Sequence, residues 1–570
     1  MRQKKLPKIP KAILDIAKKL NKNRFSAYLV GGGLRDLLLG IPIHDWDIAT
    51  SAPPKEITKI FPDSFYNNKF GTVGVKIDSG VVEITTFRKE SHYSDARHPD
   101  KVAFTNNIEE DLKRRDFTVN ALALDLKTFL DSKAKKQLVK NLKAIDHFND
   151  FIRFEDTLVP GIENRGPGIE GDKENLIWIE EMPYLGFGKY PDYTIPRVKI
   201  ASINKNLLVK VIRDDFNGLA DMNGNLIKAV GNPEQRFKED ALRLIRAVRF
   251  SVELGFKIEQ QTAKAIKENA NLLSLISKER VRDEFSRIML SNWPAEGIAM
   301  LHKLGLLREL MPALTEGIGV GQNWHHVYPV FEHALLSLKF CFSEELEIRL
   351  AALLHDIAKP RVKGVGKTGQ ATFYNHEIVG ERITRQMLNR LCFPSLIVEE
   401  TSKLVRYHMF NYDPALHNES TVRRMLHRVG GNERMKKLLI LRIADRLGSG
   451  CKKGEVYKLR KLKYLIEKVS TDPISLKQLK INGKDLIKHL GIKPGPVIGL
   501  MLNIMLAETI TNPKENQKTK LLKSAKKLWL LENKNPGNLN LKHLKATDFL
   551  EGKIKEEDRE IQEKYRVEEK

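Results

Sequence analysis

Ala27-Tyr-Leu-Val-Gly-Gly-Gly-Leu-Arg-Asp-Leu-Leu-Leu39 is the stretch whose reading decides the fold. Ala27 to Val30 is a brief apolar strand, and it runs without a linker into Gly31-Gly32-Gly33; Leu34 to Leu39 then resumes helical spacing. A strand that turns on glycine into a helix is an α/β signal. Glycine also lets the backbone come close to a bound group, and a helix start offers free N–H groups to a phosphate. A purely structural turn reads equally well from these residues alone. Working outward, Pro10 to Leu20 reads as a short helix. Val73 to Ile77 and Val81 to Thr86 alternate as paired strands do, with Ser79-Gly80 as the turn between them. Residues 1–126 are therefore expected to build an α/β domain.

Ten residues beyond the glycines stands His44-Asp-Trp-Asp-Ile-Ala-Thr50. Residues i and i+2 of a strand point to one side, so Asp45 and Asp47 are expected to project together. Like charges at that spacing are unfavourable unless a cation neutralises them. Carboxylates that share an ion with substrate phosphates are how magnesium is held for phosphoryl chemistry, which makes Asp45 and Asp47 a candidate magnesium pair; a solvated acidic turn is the plainer alternative. Glu83, on the strand Val81-Val-Glu-Ile-Thr85, is either a third carboxylate of the cluster or a surface strand residue.

Residues 127–204 differ from what precedes them. Pro160, Pro167, Pro183, Pro191 and Pro196 exclude a long helix, and glycines and aromatics are scattered among them, so the segment reads as an insertion. From Pro233 onward apolar residues recur at three and four, and Trp293-Pro294, Pro312, Pro360, Pro394 and Pro414 mark helix boundaries. After Pro536-Gly537 the chain is rich in Lys and Glu and reads as a frayed helix or disordered extension. Of 570 residues, 41% are hydrophobic and 30% charged, which excludes collagen-like, wholly disordered and disulfide-scaffold classes. A net charge of +25 favours a polyanionic partner such as nucleic acid. Cys341, Cys392 and Cys451 form no CxxC pair, which fits a reducing compartment and not a zinc finger. The basic N-terminus has helical rather than continuous apolar spacing, and no run approaches the ~18 apolar residues of a membrane span. A soluble, cytoplasmic protein with no membrane partner is expected.

In the helical part, Asp240, Arg243 and Arg246 are three residues apart, on what reads as one face of a helix beginning near Glu239. A carboxylate accepts from an exocyclic amine and a guanidinium donates to a ring nitrogen or carbonyl, so such a pair can select cytosine and adenine, which carry an amine where uracil and guanine carry a carbonyl. A surface ion network would look the same. Further on come His333, then His355-Asp356 at the end of the apolar run Leu350-Ala-Ala-Leu-Leu, then Asp445. Imidazoles and carboxylates so placed suit a divalent transition metal able to activate water; a buried His–Asp hydrogen bond is the alternative. His376 and His408 are candidates for further ligands or substrate contacts.

Four motifs occur in order: Gly32-Gly-Leu-Arg-Asp36, Asp45-Trp-Asp-Ile-Ala-Thr50, Arg114-Arg-Asp-Phe-Thr-Val-Asn-Ala121 and Glu239-Asp-Ala-Leu-Arg-Leu-Ile-Arg-Ala-Val-Arg-Phe250. In these the chain resembles the bacterial (class II) CCA-adding tRNA nucleotidyltransferases, sisters of the bacterial poly(A) polymerases in the DNA polymerase β superfamily. The resemblance implies an α/β head followed by all-α neck, body and tail. That would make residues 1–126 and 205–232 the head, 127–204 an insertion in it, 233–300 the neck, 301–455 the body, 456–535 the tail and 536–570 a charged extension. It implies magnesium at Asp45 and Asp47, with Gly32, Gly33, Arg35, Arg115, Asp116 and Arg246 around the nucleotide and Asp240 and Arg243 choosing C and A. Thr86 to Pro99 resembles the loop that members need to pass from C to A addition. His333, His355, Asp356 and Asp445 match the HD phosphohydrolase signature, implying a metal site in the body. Ile481 to Gly499 resembles a tail turn, with Lys484, Lys488 and Lys493 as contacts to RNA phosphates. The implied partners are tRNA, CTP and ATP. Poly(A) synthesis, A-only addition, and an HD hydrolase with an RNA-binding head are the alternatives. The chain departs from the family pattern in the insertion, and in Trp46, which stands where a smaller apolar residue is common.

Overall fold

A single row of side chains explains the first sheet. Val73, Ile84, Ile48, Leu29, Leu124 and Ile212 are direct neighbours across five strand pairings, and all six are buried. The structure, a computed structural model, describes residues 9–43, 45–66, 71–78, 80–91, 101–131, 211–322, 327–367, 369–415, 417–451 and 454–551. Its strands are β1 (Ala27–Val30), β2 (Asp47–Thr50), β3 (Ser64–Tyr66), β4 (Thr72–Ile77), β5 (Gly80–Thr86), β6 (Arg88–Ser91), β7 (Lys101–Phe104), β8 (Ala123–Asp125) and β9 (Ile212–Arg213). Seven of them form one mixed sheet in the order β3-β4-β5-β2-β1-β8-β9, and β6 pairs with β7 apart from it. β2 and β5 run parallel, while β1 is antiparallel to both β2 and β8.

Since side chains alternate along a strand, the next row faces the other way: Glu83, Asp47, Val30 and Ala123. On that face Val30, Ala49 and Ala123 pack with Phe87, Ile108, Leu112, Ala121 and Val230. Asp47 and Glu83 therefore sit on the face of this second apolar cluster. Two local expectations shift. β2 begins at Asp47, so Asp45 precedes the strand instead of lying in it. Ile77 pairs with Gly80, so Gly80 belongs to β5 and not to the turn expected there. The hairpin partner expected after the insertion is present: β9 pairs antiparallel with β8, and the Asp125 N–H donates to the Val211 carbonyl at 2.9 Å. Of the expected insertion, residues 132–204 lie outside the described residues.

From Pro233 the described chain is helical apart from two-residue strands, and Pro294 and Pro312 start helices as expected. Two compact units divide between Leu310 and Met311. In the first, the helix Leu242–Leu254 packs on Lys278–Leu290 and Pro294–Lys303. In the second, Val330–Lys339 packs on Leu346–Leu354 and Asn432–Gly448, and His376–Arg390 packs on Ser395–Tyr407. A further core gathers Ile481, Leu486, Met501, Met505, Leu521 and Leu528. The expectation of a frayed or disordered end after Pro536-Gly537 is corrected for residues 538–551. Asn538–Glu551 is a helix, and it buries Leu539, Ala546 and Leu550 in that core because they fall on one helical stripe despite the charged residues between them. Among the described residues no helix is long and apolar enough to cross a membrane.

Candidate active sites

The first site begins where β1 ends. Gly31 takes φ +69°, and a Cβ there would stand 3.1 Å from Arg115 Nη1 and 3.2 Å from Asp47 Oδ2. A Cβ on Gly33 would meet the Asp45 carbonyl oxygen at 2.7 Å. The glycines thus let the start of α2 (Gly31–Leu39) lie directly against both aspartates, a closeness no other residue allows. Gly31 is not among the expected site residues; its place as the first residue after the strand is the available signal. Glu83 is the register partner of Asp47 on the parallel strand, and it is exposed. Burial pushes Asp47 up to about 6; Arg115 works against the rise, and Glu83 and Asp45 add to it. Negative charge from Asp45 and Glu83 thus bears on the Asp47 carboxylate, and carboxylate oxygens are the donors a hard divalent cation takes, so the aspartates present fit magnesium.

The basic residues expected around a nucleotide separate into two kinds. Arg115 stands beside Asp47, and its Nη2 donates to Asp111 Oδ2 at 3.3 Å. Arg35 turns inward: it is buried, donates to Asp36 and Asn120 at 2.8 Å each, and lies over the Phe250 ring. Asp116 accepts from the Phe117 N–H and from Asn120 on one oxygen, and from Arg246 at 2.6 and 3.0 Å on the other. Burial alone would raise its pKa, but the Arg246 guanidinium and the Asn120 amide hold it well below the usual carboxylate range. Arg246 continues to Glu284, which also takes Arg249. A buried polar chain thereby ties residues 116–120 to the helix Leu242–Leu254.

The expected helical face of Asp240, Arg243 and Arg246 is corrected. Asp240 is extended, in the break between Pro233–Glu239 and Leu242–Leu254, and its Oδ1 accepts the Leu242 N–H at 3.1 Å. A short acidic side chain satisfies free N–H groups at a helix start, which is why the helix begins after it. Arg243 is buried and donates to Glu239 and to the carbonyls of Arg236 and Arg114. Lys484 and Lys488 share a face of the helix Gly483–Leu490, and Lys493 follows it; all three are exposed. Of the stretch from Thr86 to Pro99 expected as the C-to-A loop, residues 86–91 are described and include β6, which pairs with β7; the rest lies outside the described residues.

The second site is in the helical unit. A Cβ on Gly448 would stand 2.7 Å from the Ser337 backbone nitrogen, so Asn432–Gly448 approaches Val330–Lys339 closely enough to bring Asp445 to His333. His333 Nε2 lies 3.0 Å from His355 Nε2, 3.3 Å from Asp356 Oδ2 and 3.4 Å from Asp445 Oδ1. All four side chains are buried. Two residues outside the expected four converge on the same aspartate: His376 Nε2 is 3.3 Å and His408 Nε2 3.8 Å from Asp356 Oδ1. Lys359 Nζ lies 2.6 Å from Asp356 Oδ2 and donates to Gln322 at 2.6 Å. Burial works against a charge on His333, yet Asp356 and Asp445 push it up to about 9. The two carboxylates favour positive charge at this point, and imidazole nitrogen with carboxylate oxygen is a donor set that could hold a transition metal.

Family models match along the chain in this order: the poly A polymerase head domain at residues 27–141, the "probable RNA and SrmB- binding site of polymerase A" at 255–318, and the HD domain at 330–449. The CCA-adding enzyme of Ligilactobacillus salivarius (strain UCC118) is 31% identical over 526 residues, covering 91% of this chain and 96% of that protein. That of Lactiplantibacillus plantarum is 28% identical and covers 91% and 97%. Among solved structures, the Bacillus stearothermophilus CCA-adding enzyme in complex with CTP superposes with a TM-score of 0.59 at 25% identity, covering 92% of this chain and 98% of that one.

Proposed function

The chain belongs to the CCA-adding enzymes, and from that we propose that it rebuilds the 3′ end of tRNA by adding CMP and AMP from CTP and ATP without a template. The observation that carries the reading is the placement of Asp45 and Asp47 against the glycine start of α2, with Arg115 beside Asp47 and Glu83 its partner on the next strand. Asp45 and Asp47, with Glu83 adjacent, hold magnesium, which supplies charge neutralisation at the α-phosphate and at the departing pyrophosphate. The N–H groups at Gly32 and Gly33 and the Arg115 guanidinium bind triphosphate oxygens. Asp240 and Arg243 present the acceptor and donor that distinguish C and A. Asp116, through Arg246, and Arg35, through Asn120, keep these two motifs in fixed relation. Lys484, Lys488 and Lys493 contact phosphates of the RNA, adding affinity without sequence reading. The reaction takes place in the cytoplasm, away from any membrane.

The test uses tRNA lacking its last three nucleotides, with CTP and ATP given separately and together. Stepwise addition of C, C and A is expected. Long A tracts would identify a poly(A) polymerase instead, a single A an A-adding enzyme, and no extension an HD hydrolase with an RNA-binding head.

The helical unit supports a second activity. His333, His355, Asp356 and Asp445 hold a transition metal, which supplies an activated water for phosphoester hydrolysis. His355→Ala with Asp356→Ala is expected to abolish hydrolysis of a 2′,3′-cyclic phosphate and leave nucleotide addition intact. Parallel loss of both activities would remove the two-site reading.

A further inference from the structure

Arg115 is held by a residue outside the nucleotide-binding set. Asp111 lies in the helix Ile108–Lys113 and is 1% exposed. A buried charge is costly unless it is paired, and here both carboxylate oxygens accept from guanidinium groups. Oδ1 accepts from Arg114 Nε at 3.0 Å and Nη2 at 2.7 Å, and Oδ2 from Arg115 Nη2 at 3.3 Å. The Arg88 N–H, at the start of β6, also donates to Oδ1, at 3.4 Å. Burial alone would raise the Asp111 pKa, but Arg114 and Arg115 bring it below the ordinary value, so the group is charged at neutral pH. Two carboxylates therefore bear on Arg115: Asp111 through Nη2, and Asp47, whose Oδ2 borders Gly31 together with Arg115 Nη1. A guanidinium is a rigid plane, so fixing Nη2 sets the direction of Nη1. Little else fixes it: Nη1 donates to the Asn120 carbonyl over a long 3.4 Å, and Nε is buried with no hydrogen-bond partner among the described residues. Arg243 is held differently, by Glu239 and by the carbonyls of Arg236 and Arg114. Asp111 thus acts on the phosphate side of the site and not on the base-reading side.

We propose that Asp111 is a positioning residue for nucleotide addition: by anchoring Nη2 it directs the Arg115 guanidinium at the triphosphate bound beside Asp47. The inference rests on the reading of Gly32, Gly33 and Arg115 as the triphosphate site and deepens it. The triphosphate is common to both substrates. Affinity for CTP, for ATP and for inorganic triphosphate therefore depends on Asp111 by one and the same factor, and the choice of base does not depend on it.

The experiment uses the full chain without tRNA, so that no transfer takes place, and titrates CTP, ATP and inorganic triphosphate into it with magnesium present, by calorimetry. D111N is expected to weaken all three about 10-fold, the size of one lost hydrogen bond between charged groups. R115Q is expected to weaken them at least as much. D111N/R115Q is expected to bind no more weakly than R115Q alone, since a residue that acts through another adds nothing once the other is gone. On tRNA lacking its last three nucleotides, D111N is expected to raise KM for CTP about 10-fold, to keep kcat within about threefold and not to admit UTP. Full affinity in D111N overturns the proposal, and so do losses in the two single variants that multiply in the double. A loss seen with CTP and ATP but not with inorganic triphosphate also overturns it, because the effect would then lie at the base. No binding of any of the three by the parent would remove the triphosphate site itself, and the proposal with it. If D111N fails to fold, as judged by circular dichroism, D111E keeps the charge and moves the carboxylate by one methylene, and the same comparison with R115Q decides.

Discussion

Asp47 carries an unfavourable charge. Its folded pKa is raised from 3.8 to about 6, so between those values the folded state retains a proton that the unfolded state has released. Stability from this group is present below the unfolded value and is lost as pH rises through 6. D47N removes the penalty. It is expected to lose nucleotide addition by about 100-fold or more, which corresponds to roughly 3 kcal/mol, yet to melt higher than the parent at pH 7.5 in the absence of magnesium. Thermal scans at pH 5 and 7.5 check this, and the difference should shrink at pH 5. Asp116 has the opposite sign. Its pKa is depressed, so its contribution is present above the ordinary unfolded value of about 3.9 and is lost as pH falls below it. D116N is expected to destabilise the protein at pH 7 and by less at pH 3, measured by urea unfolding at each pH.

Elements meet closely only where side chains permit. G33A puts a Cβ 2.7 Å from the Asp45 carbonyl, so the segment bearing Asp45 must move; displacement near 1 Å costs about 100-fold in rate, and single-turnover CMP addition measures it. G448A is expected to cost about 1–3 kcal/mol and to draw Asp445 away from His333, lowering metal content in the helical unit while head catalysis persists. Much at this scale was legible in the sequence. The strand, glycine turn and helix at 27–39 follow from local chemistry, and so do the hairpin and the helical run after Pro233. Glu83 could be given only as one of two possibilities, because its place beside Asp47 depends on the parallel register of β2 and β5, strands that are far apart in sequence. The Asp240–Arg243–Arg246 face was misjudged for a related reason. Helical spacing takes an unbroken helix for granted, and capping by Asp240 breaks it. Two of the six residues around Asp356 had no fixed place, since His376 and His408 reach it from helices that only packing brings together.

At the scale of the molecule, the insertion interrupts the head at the edge of its sheet. β9 is the outermost strand beyond β8, three places from β2 and its Asp47. Replacing residues 132–210 with a short turn is therefore expected to retain at least half of the addition activity, as measured on truncated tRNA; a folded but inactive product would contradict the placement. The 2.9 Å bond between the Asp125 amide and the Val211 carbonyl has a consequence of its own. The chain departs and comes back at one doorway, so covalent continuity across the gap is not what keeps β9 on the sheet. Two polypeptides, 1–131 and 211–570, expressed together, should find each other and copurify as a working enzyme assembled from halves.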